Sequence, residues 1–272
     1  YDFYNKYSDK PNVLWSDWTD RVVIQRLGRD PKWYELGSLK HEDNVVKSAD
    51  LVFSLFPQIA SDMSNYYGRE FVYLGKNVIN TVYDGSWSLL DVIEDRKKSN
   101  KILFIGNIRY IGAAQELIKA YNSLKLQNKN LELHIIGMTK EQLKLEQEGI
   151  FCYGYLNKGI KEERDLYYSL LLNCKVFVNP AKVWGGYSST IEAMYYGSPI
   201  VVAPYSDFVE EFGCDIKFGK YFEGGLSLED VIGSVLIDND YSCMCAEAHN
   251  VVKDYTWDSY IDRFLFFLKD NG

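Results

Sequence analysis

Between residues 183 and 202 the chain reads Val-Trp-Gly-Gly-Tyr-Ser-Ser-Thr-Ile-Glu-Ala-Met-Tyr-Tyr-Gly-Ser-Pro-Ile-Val-Val. These residue types, in this order, suit the binding of phosphate and of sugar hydroxyls. Gly185 and Gly186 carry no side chain, so their backbone can lie close against a ligand. After Tyr187 come Ser188, Ser189 and Thr190, which are expected to cap the helix that follows and leave N–H groups directed outward. A helix tip of this kind attracts phosphate. Glu192 falls one turn further on, placed to accept hydrogen bonds from sugar hydroxyls. Gly197-Ser198-Pro199 predicts a helix stop and the start of a buried strand.

Other clusters carry less. Cys243, Cys245 and His249 lie close together, but one Cys-x-Cys with a single His lacks the paired knuckles of a zinc site. The five cysteines have no regular spacing and read as reduced thiols. His134 alternates within an apolar strand and His41 lies in a charged segment, so both read as structural. Asp238-Asn239-Asp240 reads as a turn with a capping Asp rather than a metal site. No metal ligand and no cofactor is therefore expected.

These residues need a frame to hold them, and from Lys101 onward the frame is legible. Short apolar runs at 102–105, 131–136, 150–153, 176–178 and 200–203 alternate with helical stretches such as Ala113 to Leu126 and Glu163 to Leu172. That alternation predicts a parallel sheet covered on both faces, with ligands bound at the carboxyl ends of its strands. Gly106, Gly137, Pro180 and Pro204 each follow a predicted strand at that rim. Residues 257–268 read as an amphipathic helix. Upstream, residues 13–15, 49–54 and 71–74 read as strands, and 41–48 and 57–67 as helices. The polar stretch from Arg96 to Asn100 reads as a linker.

The 272 residues are 47% apolar, enough for a full core. A net charge of −8 argues against a nucleic-acid partner. No apolar run reaches the ~18 residues of a membrane span, and the first eleven residues do not read as a signal peptide. The chain opens on Tyr1 rather than on methionine, which suggests a fragment, a processed chain or a trimmed one.

The block at 183–202 resembles the C-terminal, nucleotide-sugar-binding half of retaining GT-B glycosyltransferases, particularly family 4, also called group 1. The family pattern is Glu, seven residues, Glu, then Ala-Met-x-x-Gly-x-Pro-Val. Here Glu192 stands as the second acid, followed by Ala193, Met194, Gly197 and Pro199, and the first acid's place falls on Trp184. Ala49-Asp50-Leu51-Val52-Phe53-Ser54, Tyr67-Gly68 and Gly75-Lys76-Asn77 resemble the last part of the family's N-terminal domain, whose first strands have no counterpart here. The expected fold is α/β and GT-B-like: a Rossmann-type parallel-sheet C-terminal domain with an incomplete N-terminal α/β domain. The expected organisation is a partial acceptor-side domain over residues 1–95, a nucleotide-sugar-binding domain over 96–254, and a C-terminal helix over 255–272 that crosses back to the first. The short N-terminal half implies a truncated piece or an acceptor part supplied by another polypeptide.

The resemblance implies a role for each site residue. Glu192 would bind the donor's ribose, and residues 185 to 190 (Gly185, Gly186, Tyr187, Ser188, Ser189 and Thr190) would meet the diphosphate and the transferred sugar. After its first strand the family carries Gly-Arg-x-x-x-x-Lys-Gly. This chain has Gly106-Asn107-Ile108-Arg109-Tyr110-Ile111-Gly112, one residue shorter and without the Lys. Arg109 can take the phosphate role, because a guanidinium pairs bidentately with phosphate oxygens, and Lys182 is a second candidate cation. Tyr155 and Leu156 fall where the family places the base. No catalytic residue is assigned. The implied activity is retaining, metal-independent transfer of a hexose from a nucleotide-diphosphate sugar to a hydroxyl of a glycan or lipid-linked acceptor. The alternative is a non-catalytic nucleotide-sugar-binding or assembly subunit. The expected location is cytoplasmic, or peripheral at the inner face of a membrane through the missing N-terminal part.

Overall fold

The computed structural model of the protein describes residues 11–80, 83–182, 187–223 and 225–271. Two compact units share the chain. One takes the residues up to Val78 together with Ser206–Glu211 and Tyr255 onward; the other takes Ile79–Tyr205 and Phe212–Asp254.

In the first unit, strands β1 (Val13–Ser16), β2 (Leu51–Ser54) and β3 (Val72–Tyr73) form a parallel sheet in that order. Helices α1 (Asp20–Arg26), α2 (Leu36–Ser48) and α3 (Pro57–Tyr67) connect them. The ends of these helices follow local chemistry. The Thr19 side chain caps α1 by accepting from the Val22 N–H. Helix α3 opens on Pro57, whose missing N–H is no loss there, and closes on Gly68 in the left-handed region.

The second unit begins with α4 (Leu89–Lys98) and continues through β4 (Lys101–Ile105), α5 (Ile111–Gln127), β5 (Glu132–Ile136), α6 (Lys140–Leu143) and β6 (Ile150–Cys152). It goes on through α7 (Lys161–Asn173), β7 (Val176–Asn179), α8 (Ser188–Tyr195) and β8 (Ile200–Val202). Helix α9 (Ser206–Phe212) leads to β9 (Gly219–Tyr221), α10 (Leu228–Leu236) and α11 (Tyr241–Val252). Its six strands run parallel in the order β6-β5-β4-β7-β8-β9. Side chains alternate across such a sheet. Ile102, Phe104, Leu133, Ile135, Val176 and Val178 therefore form one core beneath α5 and α10. Leu103 and Phe177, turned to the other face where α7 and α8 pack, are just as fully buried. The apolar runs of the sequence lack a polar alternation for this reason.

Two returning segments complete the first unit. Asp207 on α9 is fully buried and accepts from the Ile59 N–H and from Arg26 Nη1, each at 3.2 Å. Burial pushes its carboxyl upward in pKa, and Arg26 opposes that shift. Helix α12 (Trp257–Asn271) lays Phe264 against Trp15 at 4.6 Å and against Phe53 at 5.4 Å. Trp15 Nε1 donates to the Tyr260 hydroxyl at 3.0 Å, and Arg263 donates to the carbonyls of Gly75 and Lys76. Among the described residues no helix is long and apolar enough to cross a membrane.

The stretch from Arg96 to Asn100 is not a linker. Arg96 lies in the last turn of α4 and is fully buried. Its Nη1 donates to the Cys174 carbonyl, and its Nη2 donates to the carbonyls of Leu171 at 2.8 Å and Tyr196 at 2.9 Å. These carbonyls close α7 and α8, where the helix dipoles are negative, so one guanidinium ties both helix ends together. Polar composition suggested solvent, whereas the charge is inside serving the backbone. Arg96→Met would leave these carbonyls unpaired and is expected to cost about 3–5 kcal/mol, by analogy with removing one partner of a buried charge. Arg96→Lys should recover only part, because an ammonium cannot span the same fork. Urea unfolding of the three proteins measures both effects.

Candidate functional site

The strand order locates the site. The chain builds β4, steps outward to β5 and β6, then crosses back to place β7 on the other side of β4. The carboxyl ends of β4 and β7 thus flank a topological switch point, where crevices form in open parallel sheets. The loop after β4 carries Gly106, Asn107 and Arg109, and the loop after β7 carries Lys182.

Glycines pave the rim beside this point. The Gly106 N–H donates to the Ile136 carbonyl at 3.0 Å, and the Gly137 N–H donates to the Gly154 carbonyl at 2.7 Å. Gly137 has a φ of +97°, and a Cβ there would stand 2.6 Å from the Gly106 carbonyl oxygen. Only glycine lets these loops meet so closely. Asn107 acts locally, since its Oδ1 accepts from the Arg109 N–H at 3.0 Å and caps the short 3-10 turn over Ile108–Tyr110. That turn holds Arg109 exposed at the rim. Lys182, also exposed, lies over the Phe222 ring at 5.3 Å. It helps to line a cleft of about 480 Å³ with Pro204, Tyr205, Phe222 and Leu226, past the carboxyl ends of β7, β8 and β9.

Helix α8 differs from its sequence reading at the start. Gly185 and Gly186 lie outside the described residues, as does Trp184. The N-cap is Tyr187, which makes no side-chain capping bond, so the Ser188-Ser189-Thr190 run does not supply the expected cap. The Tyr187 ring is fully buried against Phe212 at 5.7 Å, and Thr190 is fully buried too. Ser188 is exposed and Ser189 half-buried. The far end follows the sequence closely: Gly197 turns left-handed at φ +72°, and its N–H and that of Ser198 return to the carbonyls of Met194 and Ala193.

Glu192 sits inside α8 with 7% of its surface exposed. Both carboxylate oxygens are engaged. Oε1 accepts from Lys158 Nζ at 2.5 Å and Oε2 from the Tyr167 hydroxyl at 2.7 Å. Lys158 lies in the loop after β6, with its ammonium 4.1 Å from the centre of the Tyr167 ring and 5.4 Å from that of Tyr168. Neither Lys158 nor Tyr167 stands out in the sequence. Leu156 of the same loop is buried, while Tyr155 is 81% exposed.

The remaining candidates are structural. His134 stacks on Phe151, and its ring nitrogens meet the Tyr153 hydroxyl and the Glu132 carboxylate. Cys243 is exposed and Cys245 buried, so these thiols face different ways, and His249 spends Nδ1 on the Tyr195 carbonyl. Asp238 pairs with Lys220 at 3.0 Å and accepts from the Asp240 N–H, forming a turn ahead of α11. A second cleft, of about 680 Å³, opens at the amino edge of the sheet between Asn100, Lys175 and Ile237. It gathers none of the residues at the switch point.

Known proteins share this fold. Residues 87–248 match the family described as glycosyl transferases group 1. No curated protein sequence matches the chain. The structure is similar to sucrose-phosphate synthase from Thermosynechococcus elongatus, at 14% identity and a TM-score of 0.67, over 96% of this chain and 68% of that one. It is similar to WaaG, a glycosyltransferase involved in lipopolysaccharide biosynthesis, at 14% identity and a TM-score of 0.64, over 92% of this chain and 72% of that one. Anabaena Alr3699/HepE, solved in complex with UDP and glucose, gives 14% identity and a TM-score of 0.64, over 96% and 72% of the two chains. At such identities the likeness is one of fold, and the fold is GT-B.

The Tyr167 phenol, buried against Glu192, is pushed well above the ordinary phenol range, by burial first and by the carboxylate second. Burial also raises Tyr168 and Tyr196. A phenol raised in the folded state contributes stability that is intact below the unfolded pKa of about 10 and is lost as pH climbs past it. Stability should therefore fall above about pH 10, with these phenols ionising only on unfolding, as followed by tyrosinate absorbance. Tyr167→Phe should cost about 1.5–3 kcal/mol at neutral pH through the lost bond to a charged group, and should lessen the alkaline loss.

Proposed function

The chain belongs to the group 1 glycosyl transferases, and on that premise we propose that it moves a hexose from a nucleotide-diphosphate sugar to a hydroxyl of a glycan or lipid-linked acceptor. The observation that carries this reading is Glu192, a nearly buried carboxylate on the helix that follows β7, one of the two strands that flank the switch point of a parallel sheet. A carboxylate held rigidly there is suited to receive a pair of ribose hydroxyls. The exposed Tyr155 offers a ring face beside which a base can lie.

In this reading the diphosphate lies toward the start of α8, near Ser188, Ser189 and the glycines at 185 and 186. Arg109 or Lys182 neutralises the charge that grows on the departing phosphate. The bond between the anomeric carbon and the diphosphate oxygen breaks as the acceptor hydroxyl bonds to the same carbon. The hydroxyl proton passes to the leaving phosphate, on the same face of the sugar, giving a retained glycoside and a nucleoside diphosphate. Side-chain cations and backbone N–H groups take the part that a metal plays elsewhere, and the same reading proposes a location in the cytoplasm or at the inner face of a membrane.

Thermal unfolding with a panel of UDP- and GDP-sugars tests the reading. At saturating concentration at least one should raise the Tm by about 5 °C, and free nucleoside diphosphate should accumulate on incubation, undiminished by a chelator. Glu192→Ala should weaken binding of that donor by about tenfold to a hundredfold. Equal shifts in wild type and variant would remove Glu192 from the site. Stabilisation without any turnover would favour a binding or assembly subunit.

A further inference from the structure

On the donor-site reading, a ribose has a competitor for Glu192. Its two partners differ in how freely they can leave. Tyr167 is 6% exposed and packed in α7, whereas the Lys158 side chain is 26% exposed. The backbone of Lys158 is pinned: the Asn157 N–H donates to Glu163 at 2.6 Å, and Asn157 accepts from the N–H groups of Gly159 and Ile160, both at 2.9 Å. Only the side chain is at liberty to move, and its flexible four-carbon stem can sweep the ammonium through roughly 6 Å about a fixed Cα. That span is comparable to the distance between a ribose hydroxyl and the phosphates of the same nucleotide.

We infer that Lys158 sets ligand selectivity at this site by holding Glu192 closed and releasing it when a ligand brings a diphosphate to take the ammonium. The inference rests on the donor-site reading given above. A bare nucleoside offers Glu192 two hydroxyls in place of a charged partner, and it leaves the lysine with no counter-ion over the tyrosine rings. Removing one partner from a nearly buried ion pair is strongly unfavourable, so the nucleoside binds poorly. A nucleoside diphosphate supplies hydroxyls to the carboxylate and phosphate oxygens to the ammonium, and each charge stays paired through the exchange. Selectivity for the phosphorylated ligand then comes from an exchange of partners as well as from direct phosphate contacts. No other lysine or arginine bonds to Glu192 among the described residues.

Calorimetric titration of the full chain with uridine and UDP, and with guanosine and GDP, tests this. For whichever base the wild type binds, Lys158→Met should tighten the nucleoside by about threefold and weaken the diphosphate by about tenfold, so that discrimination collapses. Lys158→Arg, which keeps the charge, should hold discrimination within about threefold of wild type. Should Lys158→Met unfold for want of a partner to Glu192, Lys158→Gln is read in its place, since it donates to the carboxylate without a charge. Its diphosphate affinity should fall while its nucleoside affinity does not. Equal changes for nucleoside and diphosphate would overturn the inference and leave Lys158 a packing residue. Failure of both UDP and GDP to bind the wild type would overturn the donor-site reading, and this inference with it.

Discussion

Burying the Glu192 carboxylate costs on the order of several kcal/mol unless its oxygens are satisfied by groups strong enough to replace water. The second unit is arranged to meet that demand. Tyr167 comes from α7 and Lys158 from the loop that leads into it, so one side chain on α8, which follows β7, is met by two parts of the segment that follows β6. Arg96 answers the same problem from below, taking the carbonyls that end α7 and α8 onto one guanidinium. The helix that carries the acid and the helix that carries its phenol are thereby fixed to each other at their carboxyl ends. A carboxylate so constrained has little rotamer freedom left to lose, and on the proposed reading that preorganises it for a ligand.

The sheet gives this arrangement a place to act. Because β4 and β7 are neighbours while the chain between them visits β5 and β6, their loops part at the switch point rather than packing over one another. Glycine is required where the loops after β4 and β5 come together, and the close approach of Gly137 to the Gly106 carbonyl keeps that rim low. The exposed cations Arg109 and Lys182 stand on loops of the two strands that frame the opening. The first unit is completed by chain that has already passed through the second. Asp207 and α12 return to it and are secured there by the Ile59 amide, Arg26, Trp15 and Phe53.

Much of this was legible in the sequence, for reasons that can be traced. The strands of the second unit are buried on both faces and so announce themselves as unbroken apolar runs; Pro57 and Gly68 mark the limits of α3, and Gly197 the stop after α8. Local signals failed where polar residues serve something distant. Arg96 looked like part of a solvated linker because a carbonyl 100 residues away leaves no trace near it. The trio around Glu192 escaped for the same reason, with separations of 34 and 25 residues that no periodicity links. The run of hydroxyls before Ile191 suggested a cap, but the helix begins a residue earlier than a serine cap would require, and Tyr187 fills that position with its ring in the core.

The central claim is that the Glu192 carboxylate receives the ribose of a nucleotide. A crystal structure of the protein grown with a nucleoside diphosphate addresses it most directly. The account predicts ribose hydroxyls at hydrogen-bond distance from Glu192, the Tyr167 bond retained, and the Lys158 ammonium moved from the carboxylate onto a phosphate oxygen. A nucleotide bound at the amino edge of the sheet, or one at the switch point with the Lys158–Glu192 pair undisturbed and the ribose elsewhere, would contradict it.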